Sequence, residues 1–392
     1  MGKGTQPTAY INPRAVTRLR QGHLWIYAAD VQRVDGATGG DVVALVDERQ
    51  HAYGYAFFSD SSQITLRWCA PSGPPPDKAF WRARLHAAAE YRRLVVEDTE
   101  AYRLVYSEGD LLPSLIIDRY GEHIVLQTLS QGSDRLKATW TELLQELYSP
   151  ASIIERNDAS VRKLENLPQQ SGILSGSVPP EVTIHMNGVE FGLDLLAGQK
   201  TGAFLDQREN YAAAAYYAWG RTLDAFTFAG GFALHLAPLV ETVLAVDISE
   251  DACTLARRNA ERNGCANVEV KTANVFDLLR TLDDADERFD TIVLDPPAFT
   301  KGKASVEGAY RGYKEINLRA LRMLNAGGTL ITCSCSYHMP EALFLEMLAE
   351  AASDAHCSLR LIEQRLQARD HPIALGMPET KYLKCVIAQA LD

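Results

Sequence analysis

Three carboxylates and one cysteine stand at the ends of apolar runs, and together they define the chemistry open to this chain. Asp224 lies in Leu223-Asp-Ala-Phe-Thr-Phe-Ala-Gly-Gly-Phe232, Asp247 in Leu244-Ala-Val-Asp-Ile248, and Asp295 in Ile292-Val-Leu-Asp-Pro-Pro297. Cys335 follows in Leu330-Ile-Thr-Cys-Ser-Cys-Ser336. Each run is apolar enough for a buried parallel strand, and in open α/β sheets ligands bind at the carboxyl ends of such strands. The four groups describe a cleft for a nucleoside-containing ligand with a reactive thiol beside it.

The segment from Asp224 to Gly231 turns from a strand into a helix, and its glycines, Gly230 among them, let backbone approach a ligand closely. It is neither the dinucleotide fingerprint nor a phosphate-binding P-loop. Asp247, roughly 20 residues on, ends the next run, where a carboxylate can accept both ribose hydroxyl hydrogens. Each feature alone has a structural explanation, a tight turn or a helix cap; the pair favours a nucleoside. Asn274 offers an amide to an adenine edge and would serve equally as a turn residue. Phe226, Ile248, Val275 and Phe276 could wall the adenine or belong to the core. After Asp295, Pro296 and Pro297 cannot continue a strand, so they fix a rigid loop. An acceptor there suits a pyrimidine ring or an exocyclic amine.

Cys333 and Cys335 are too close in an extended strand for an easy mutual disulfide. With His338 they lack a fourth ligand, so no metal is expected. A cysteine on a strand is ordinarily an inert buried hydrophobe. Cys335 differs by standing just beyond its strand, at the sheet edge that Asp295 shares. Carbon 5 of cytosine is too weak a nucleophile to take a methyl group from a sulfonium unaided. A thiolate added to carbon 6 makes carbon 5 enamine-like, so methylation and loss of its proton can follow. In that chemistry Cys335 is the nucleophile and Asp295 the partner at the N3 edge of the ring.

The elements that must position these groups occupy the last half of the chain. From about Leu195 to the end, residues 195–392, strands and helices alternate as in a Rossmann-like domain. Ser249 is a helix N-cap and Asn263-Gly264 the matching stop. The runs Leu359–Ile362 and Leu383–Ile387 read as a closing antiparallel hairpin. Before this, residues 1–72 carry short β-like runs at 41–46, 51–58 and 63–68, the pattern of a small barrel-like β domain. Pro71-Ser-Gly-Pro-Pro-Pro76 is a stiff linker. Residues 73–194 form a small α+β domain: Trp81, Leu85, Ala88, Tyr91 and Val95 recur at helical spacing. Hairpins are expected at Tyr120-Gly121 and at Asn187-Gly188, the latter a type I′ turn.

At 392 residues the chain calls for two or three domains. Its 46% hydrophobic and 23% charged residues describe an ordinary soluble globular protein. The seven cysteines are scattered, with no disulfide framework or zinc spacing, which points to a reducing cytoplasm. The start, Met1-Gly-Lys-Gly-Thr-Gln6, lacks the apolar core of a signal peptide, and no stretch is apolar enough to cross a membrane. A net charge of −11 counts against a non-specific nucleic-acid coat but leaves room for a local basic face. Through position 34, Lys3, Arg14, Arg18, Arg20 and Arg33 are opposed only by Asp30. Arg14, Arg18 and Arg20 are the expected phosphate contacts.

With these residues in hand, the chain resembles the large-subunit (23S) ribosomal RNA cytosine-5 methyltransferases of bacteria and archaea that carry an N-terminal PUA domain. Gly22-His-Leu-Trp-Ile-Tyr27 is similar to that family's Gly-His-Pro-Trp opening, with Leu24 in place of proline. Glu108-Gly-Asp-Leu-Leu-Pro-Ser-Leu-Ile-Ile-Asp-Arg-Tyr120, Gln199-Lys-Thr-Gly-Ala-Phe-Leu-Asp-Gln-Arg208, Tyr310-Arg-Gly-Tyr-Lys-Glu-Ile-Asn317 and His371-Pro-Ile-Ala-Leu-Gly376 also resemble its segments. The resemblance covers essentially the whole chain. It implies a class I methyltransferase domain with a mostly parallel seven-stranded sheet, preceded by a PUA domain and a middle α+β domain. It implies S-adenosylmethionine among Asp224, Asp247, Asn274 and Asp295, with Lys200, Phe204 and Arg208 nearby; Phe226, Gly230, Ile248, Val275 and Pro296 complete the expected cofactor contacts. It places the nucleophile at Cys335 rather than Cys333. Ala298 and Phe299 stand where many such enzymes carry a second cysteine, so proton removal must use another base or water. Asn274 stands where a carboxylate is common.

The implied partner is ribosomal RNA, naked or in an assembling subunit; a homodimer is possible in principle. Two rival readings keep parts of this picture. Purine methylation at guanine N7 or an exocyclic amine retains the fold and cofactor and makes Cys335 a bystander. A non-catalytic RNA-binding assembly factor retains only the scaffold, and the intact acidic and glycine positions argue against it.

Overall fold

The computed structural model describes residues 6–196, 202–300, 302 and 305–391, and the chain divides into two compact units. One comprises Met1–Ile184, Leu193–Ala203 and Arg369–Thr380; the other comprises His185–Gly192, Phe204–Ala368 and Lys381–Asp392. Among the described residues no helix is long and apolar enough to cross a membrane.

Among the described residues the first unit is built mainly on two sheets. The six-stranded sheet runs in the order Trp25–Ile26, Leu66–Ala70, Ala52–Phe58, Val42–Val46, Thr8–Ile11, Val31–Asp35. Alternation builds its core: Ala9, Ile11, Val43 and Leu45, each fully buried, point to one face and pack together. The five-stranded sheet runs Gln170–Gly176, Ser152–Asn157, His123–Thr128, Leu115–Tyr120, Ala101–Tyr106. The hairpin at Tyr120-Gly121 forms as expected, with Tyr120 opposite His123. Helix Lys78–Val95 starts where Asp77 accepts the Phe80 amide at 2.9 Å. Its Trp81 meets Trp140 of helix Lys137–Tyr148 edge to face at 5.3 Å. The inward stripe continues with Arg92 rather than Tyr91. Arg92 is 2% exposed because both oxygens of Asp110 and the Asp370 carbonyl satisfy its guanidinium.

The second unit is a three-layer α/β/α structure. Its strands are β1 (Arg221–Ala225), β2 (Thr242–Asp247), β3 (Val268–Thr272), β4 (Phe289–Leu294), β5 (Leu324–Ser334), β6 (Leu359–Arg365) and β7 (Lys384–Ala390). They lie in the order β3-β2-β1-β4-β5-β7-β6. The first five are parallel, and β7 runs antiparallel between β5 and β6. Helices α1 (Arg208–Ala215), α2 (Gly231–Leu236), α3 (Glu250–Arg262), α4 (Val275–Asp284), α5 (Val306–Met323) and α6 (Glu341–Asp354) cover the faces.

Strand periodicity decides which residue meets which layer. Ile292, Leu294, Leu330, Val386 and Ala388 pack with residues of α4, α5 and α6. Their neighbours Val293, Ile331, Cys333, Cys385 and Ile387 pack on the other face with Tyr211 of α1 and Phe232 of α2. Burial on both faces explains why these strands read as continuous apolar runs. Strand order reverses between β1 and β4, so their carboxyl ends flank an open crevice. Asp224, Asp247, Asp295 and Cys335 all stand at that edge.

Candidate active site

The loop after β1 is the most constrained backbone of the site. Phe226, Phe228 and Gly230 have φ of 69°, 50° and 87°, left-handed values that only the glycine adopts without strain. Asp224 holds this loop from beneath. Its Oδ2 accepts the Thr227 hydroxyl at 2.6 Å and the Ala233 amide in α2 at 2.9 Å. Its Oδ1 is buried and meets no protein donor. Burial pushes the Asp224 carboxyl up to about 6, against the two hydrogen bonds and with added repulsion from Asp247. Gly231 is needed for packing: a Cβ there would lie 2.5 Å from the Tyr211 ring.

Asp247 braces the loop from the next strand. Oδ2 accepts the Phe228 amide at 3.0 Å and Oδ1 the Ser249 amide at 2.9 Å. Ser249 caps α3, accepting from Ala252. Each Asp247 oxygen keeps lone-pair capacity for a ribose hydroxyl, since an ionised carboxylate accepts about four bonds. Ile248 beside it is 67% exposed, an apolar face presented at a strand end.

Asn274 is exposed and caps α4, its Oδ1 accepting the Phe276 and Asp277 amides. The cap consumes the oxygen and leaves the amide NH2 as the group free to meet a base. Val275, by contrast, is 3% exposed and packed in the core, so its side chain walls no cleft. Phe226 is half-buried against the same core, its ring 6.4 Å from Phe276. Phe204 meets Phe228 edge to face at 4.9 Å, and Arg208 is 2% exposed with the Glu209 carboxylate 3.7 Å away. Lys200 lies outside the described residues.

At the end of β4, Asp295 is half-buried and its Oδ1 accepts from Gln207 Nε2 at 2.9 Å. Gln207 is in turn fixed by Asn210 at 2.7 Å, and Asn210 by Arg365 at 3.0 Å. Pro296 is buried, and its carbonyl lies 4.0 Å from the Cys335 sulfur. Cys335 is half-buried just past β5, whereas Cys333 is fully buried opposite Cys385. The structure thus separates the two cysteines: Cys333 is packed in the interior, and Cys335 is half-buried beside the Pro296 carbonyl. Burial pushes the Cys333 thiol well up, with Cys385 and Asp295 adding to the effect. Among the described residues no group of three or more His, Cys, Asp or Glu could hold a metal ion.

Gln207, bonded to Asp295, and Lys384, bonded to the Ser336 carbonyl next to Cys335, are neighbours of these groups that the sequence did not single out. Gln207 lies inside the Gln199–Arg208 segment, one residue from Arg208. Lys384 interrupts the apolar run Leu383-Lys-Cys-Val-Ile387, and a lone charge in a buried strand is itself a signal.

The N-terminal arginines belong to the first unit. Arg14 Nε and Arg18 Nη2 pair with the fully buried Asp30 at 2.6 and 3.1 Å. Burial alone would raise the Asp30 carboxyl; hydrogen bonds from Arg14 and Asn12 and the Arg18 charge hold it below its ordinary value. Arg20 reaches the Tyr53 ring at 6.0 Å. Two of the three expected phosphate contacts therefore also anchor helix Pro13–Arg20.

Residues 9–70 match the family described as PUA-like domain, and residues 117–377 the family described as S-adenosylmethionine-dependent methyltransferase. The chain is 40% identical over 394 residues to the ribosomal RNA large subunit methyltransferase I of Tolumonas auensis, covering 98% of this chain and 99% of that one. It is 40% identical over 376 residues to the protein of the same name from Photobacterium profundum, covering 93% and 95%. Among solved structures it is similar to an S-adenosylmethionine-dependent methyltransferase from Streptococcus mutans, with TM-score 0.83 and 18% identity over 97% of this chain and 99% of that one. A methyltransferase complexed with SAH gives TM-score 0.85 and 19% identity over 97% and 99%.

The residues present fit S-adenosylmethionine. The cofactor is a nucleoside carrying a sulfonium and an ammonium, and the crevice supplies negative charge. After burial, Asp295, Asp206 and Asp224 are the causes that raise Tyr211 well above its ordinary value. The buried Asp224 Oδ1 without a donor and the open lone pairs of Asp247 complete the match. By its sequence, its seven-stranded sheet and the fit of this crevice, the chain belongs to the S-adenosylmethionine-dependent methyltransferases and carries a PUA-like domain at its N-terminal end.

Proposed function

We propose that the chain methylates carbon 5 of a cytosine in large-subunit ribosomal RNA, with Cys335 as the covalent nucleophile. The observation that carries this reading is the half-buried Cys335 sulfur, 4.0 Å from the Pro296 carbonyl on the loop that begins with Asp295. Purine methylation gives that thiol nothing to do. The names of the relatives, ribosomal RNA large subunit methyltransferase I, support the RNA class.

In this reading Asp247 holds the ribose, the Phe226–Gly230 backbone follows the ligand, and Ile248 and the Asn274 amide meet the adenine. S-adenosylmethionine supplies an electrophilic methyl group on a sulfonium. Cys335 attacks as the thiolate; its lone pair forms the S–C6 bond and the C5–C6 π pair makes carbon 5 nucleophilic. Asp295, held by Gln207, accepts from or shares a proton with the N3/N4 edge of the base. Once carbon 5 has taken the methyl group and the thioether has departed, water or another base takes the carbon-5 proton; its electron pair re-forms the C5–C6 double bond, the S–C6 bond breaks, and the thiolate is restored.

Incubation with S-adenosylmethionine and a 23S ribosomal RNA transcript, followed by nucleoside analysis, tests the product. 5-Methylcytidine is expected. A methylated purine instead would transfer the assignment to that class, with Cys335 left as a bystander.

A further inference from the structure

Lys384 opens β7 as the register partner of Ser334, and the whole residue is 5% exposed. Lysines are seldom buried without a carboxylate in contact. Among the described residues Lys384 makes no ion pair; nearby Lys381 takes Glu341 at 2.7 Å instead. Two backbone carbonyls hold the Lys384 ammonium, that of Ser336 at 2.7 Å and that of Tyr382 at 2.8 Å. Ser336 directly follows Cys335, so the ammonium is fixed to the same turn that carries the sulfur. An ammonium has three donors, and these two bonds leave one uncommitted.

Among the described residues, several groups near Cys335 do nothing to favour a thiolate. Tyr313 of α5 is neutral, its hydroxyl engaged with Ser334 and Ser336 at 3.0 Å each. The facing loop after β4 brings the Asp295 carboxylate and the Pro296 carbonyl, both electronegative. Among the described residues, Lys384 is a cation bonded to the turn that carries Cys335. Burial above all holds the Lys384 ammonium down to about 8, with Lys381 adding to the fall and Cys335 and Glu341 opposing it.

We propose that Lys384 is the positioning residue that keeps Cys335 ionised and aimed into the crevice. The inference rests on Cys335 as the nucleophile. Its proton balance is simple: the Cys335 thiol releases its proton to solvent before attack, and Lys384 remains an ammonium throughout. The same charge eases the last step, because a thiolate of lowered basicity is the better leaving group when the S–C6 bond breaks.

A purely structural Lys384 would merely staple the turn through its two carbonyl bonds. The pH dependence of Cys335 alkylation separates the two roles, since only the thiolate reacts. The full chain is treated with iodoacetamide across pH, and the Cys335 peptide is quantified by mass spectrometry with Cys265 as internal reference. In the wild-type chain the Cys335 midpoint is expected below about 8.5, the ordinary thiol value. Lys384→Gln keeps N–H donors for the carbonyls but removes the charge. It should raise the Cys335 midpoint by about one unit or more, Cys265 being unchanged, and Lys384→Arg should reverse the shift. A wild-type midpoint at or above the ordinary value overturns the proposal without any variant. So does an unchanged midpoint in Lys384→Gln, or a shift that arginine leaves in place. Alkylation needs neither RNA nor methyl transfer, so the nucleophile is judged separately by the activity of Cys335→Ala. Full activity there with a low Cys335 midpoint removes the nucleophile and leaves the charge effect standing.

Discussion

Gln207 donates to the Asp295 carboxylate at 2.9 Å from a position that is 2% exposed, so the carboxylate proposed to meet the base is held by a buried amide. Asn210 and Arg365 extend the chain of hydrogen bonds behind it. Removing Gln207 takes one donor from Asp295 without changing its charge. Gln207→Leu is expected to lower kcat/KM for methylation about tenfold or more, the worth of one bond to a charged group. S-adenosylmethionine affinity, measured by calorimetry, should change far less than turnover. Equal losses in both would place Gln207 with the cofactor rather than the base.

Asp224 gives the site a pH signature. Its carboxyl is raised to about 6 against an ordinary 3.8, so the folded protein holds the proton more tightly than the unfolded chain. The stability contributed by that proton is fully present below the ordinary value and is lost as pH rises through about 6. Without ligand, stability should therefore fall across that window by on the order of 2–3 kcal/mol from this group. Asp224→Asn, which keeps an acceptor for Ala233, should flatten the slope in denaturant titrations. S-adenosylmethionine, a cation, should bind more tightly to the wild-type chain as Asp224 ionises.

Gly231→Ala tests the packing under the loop. The added Cβ would sit 2.5 Å from the Tyr211 ring, and overpacking of this kind costs about 1–3 kcal/mol. The expected result is a lower Tm that Tyr211→Leu partly restores. Additive losses in the double variant would show that the two residues do not compete for the same space.

How much of this was legible in the sequence varies by layer. Buried parallel strands reveal themselves because both faces are covered, so β1, β2, β4 and β5 stand out as apolar runs, and Ser249 marks α3 by its capping chemistry. Cys335 was set apart from Cys333 by its place just beyond the strand, and the family resemblance pointed to the same residue; period-2 alternation alone leaves open where the strand ends. Asp224 was recognised as a site residue, yet its grip on Thr227 and Ala233 depends on a loop with three left-handed residues that no pattern announces. Gln207 and Arg365 meet through Asn210 across roughly 150 residues of chain, a separation invisible to local spacing. Arg92 was hidden for the opposite reason: a charged residue on an apolar helical stripe reads as exposed until its partner Asp110 is known.

The N-terminal arginines should separate into two classes. Arg20→Ala is expected to weaken RNA binding and to reduce its salt slope by about one, with Tm unchanged. Arg14→Ala with Arg18→Ala should lower the salt slope and also the Tm, because Asp30 is left buried without its cations. Gel-shift titrations over a salt series, paired with thermal unfolding, distinguish the two.

The central claim is covalent chemistry at Cys335, and a mechanism trap tests it most directly. The protein and its Cys335→Ala variant are incubated with S-adenosylmethionine and ribosomal RNA containing 5-fluorocytidine. Fluorine cannot leave carbon 5 as a proton does, so a true intermediate stays attached and survives denaturing electrophoresis. A cofactor-dependent protein–RNA adduct in the wild type, absent from Cys335→Ala, is the expected result. Methylation of unmodified RNA with no adduct, or an adduct that persists in Cys335→Ala, would contradict it.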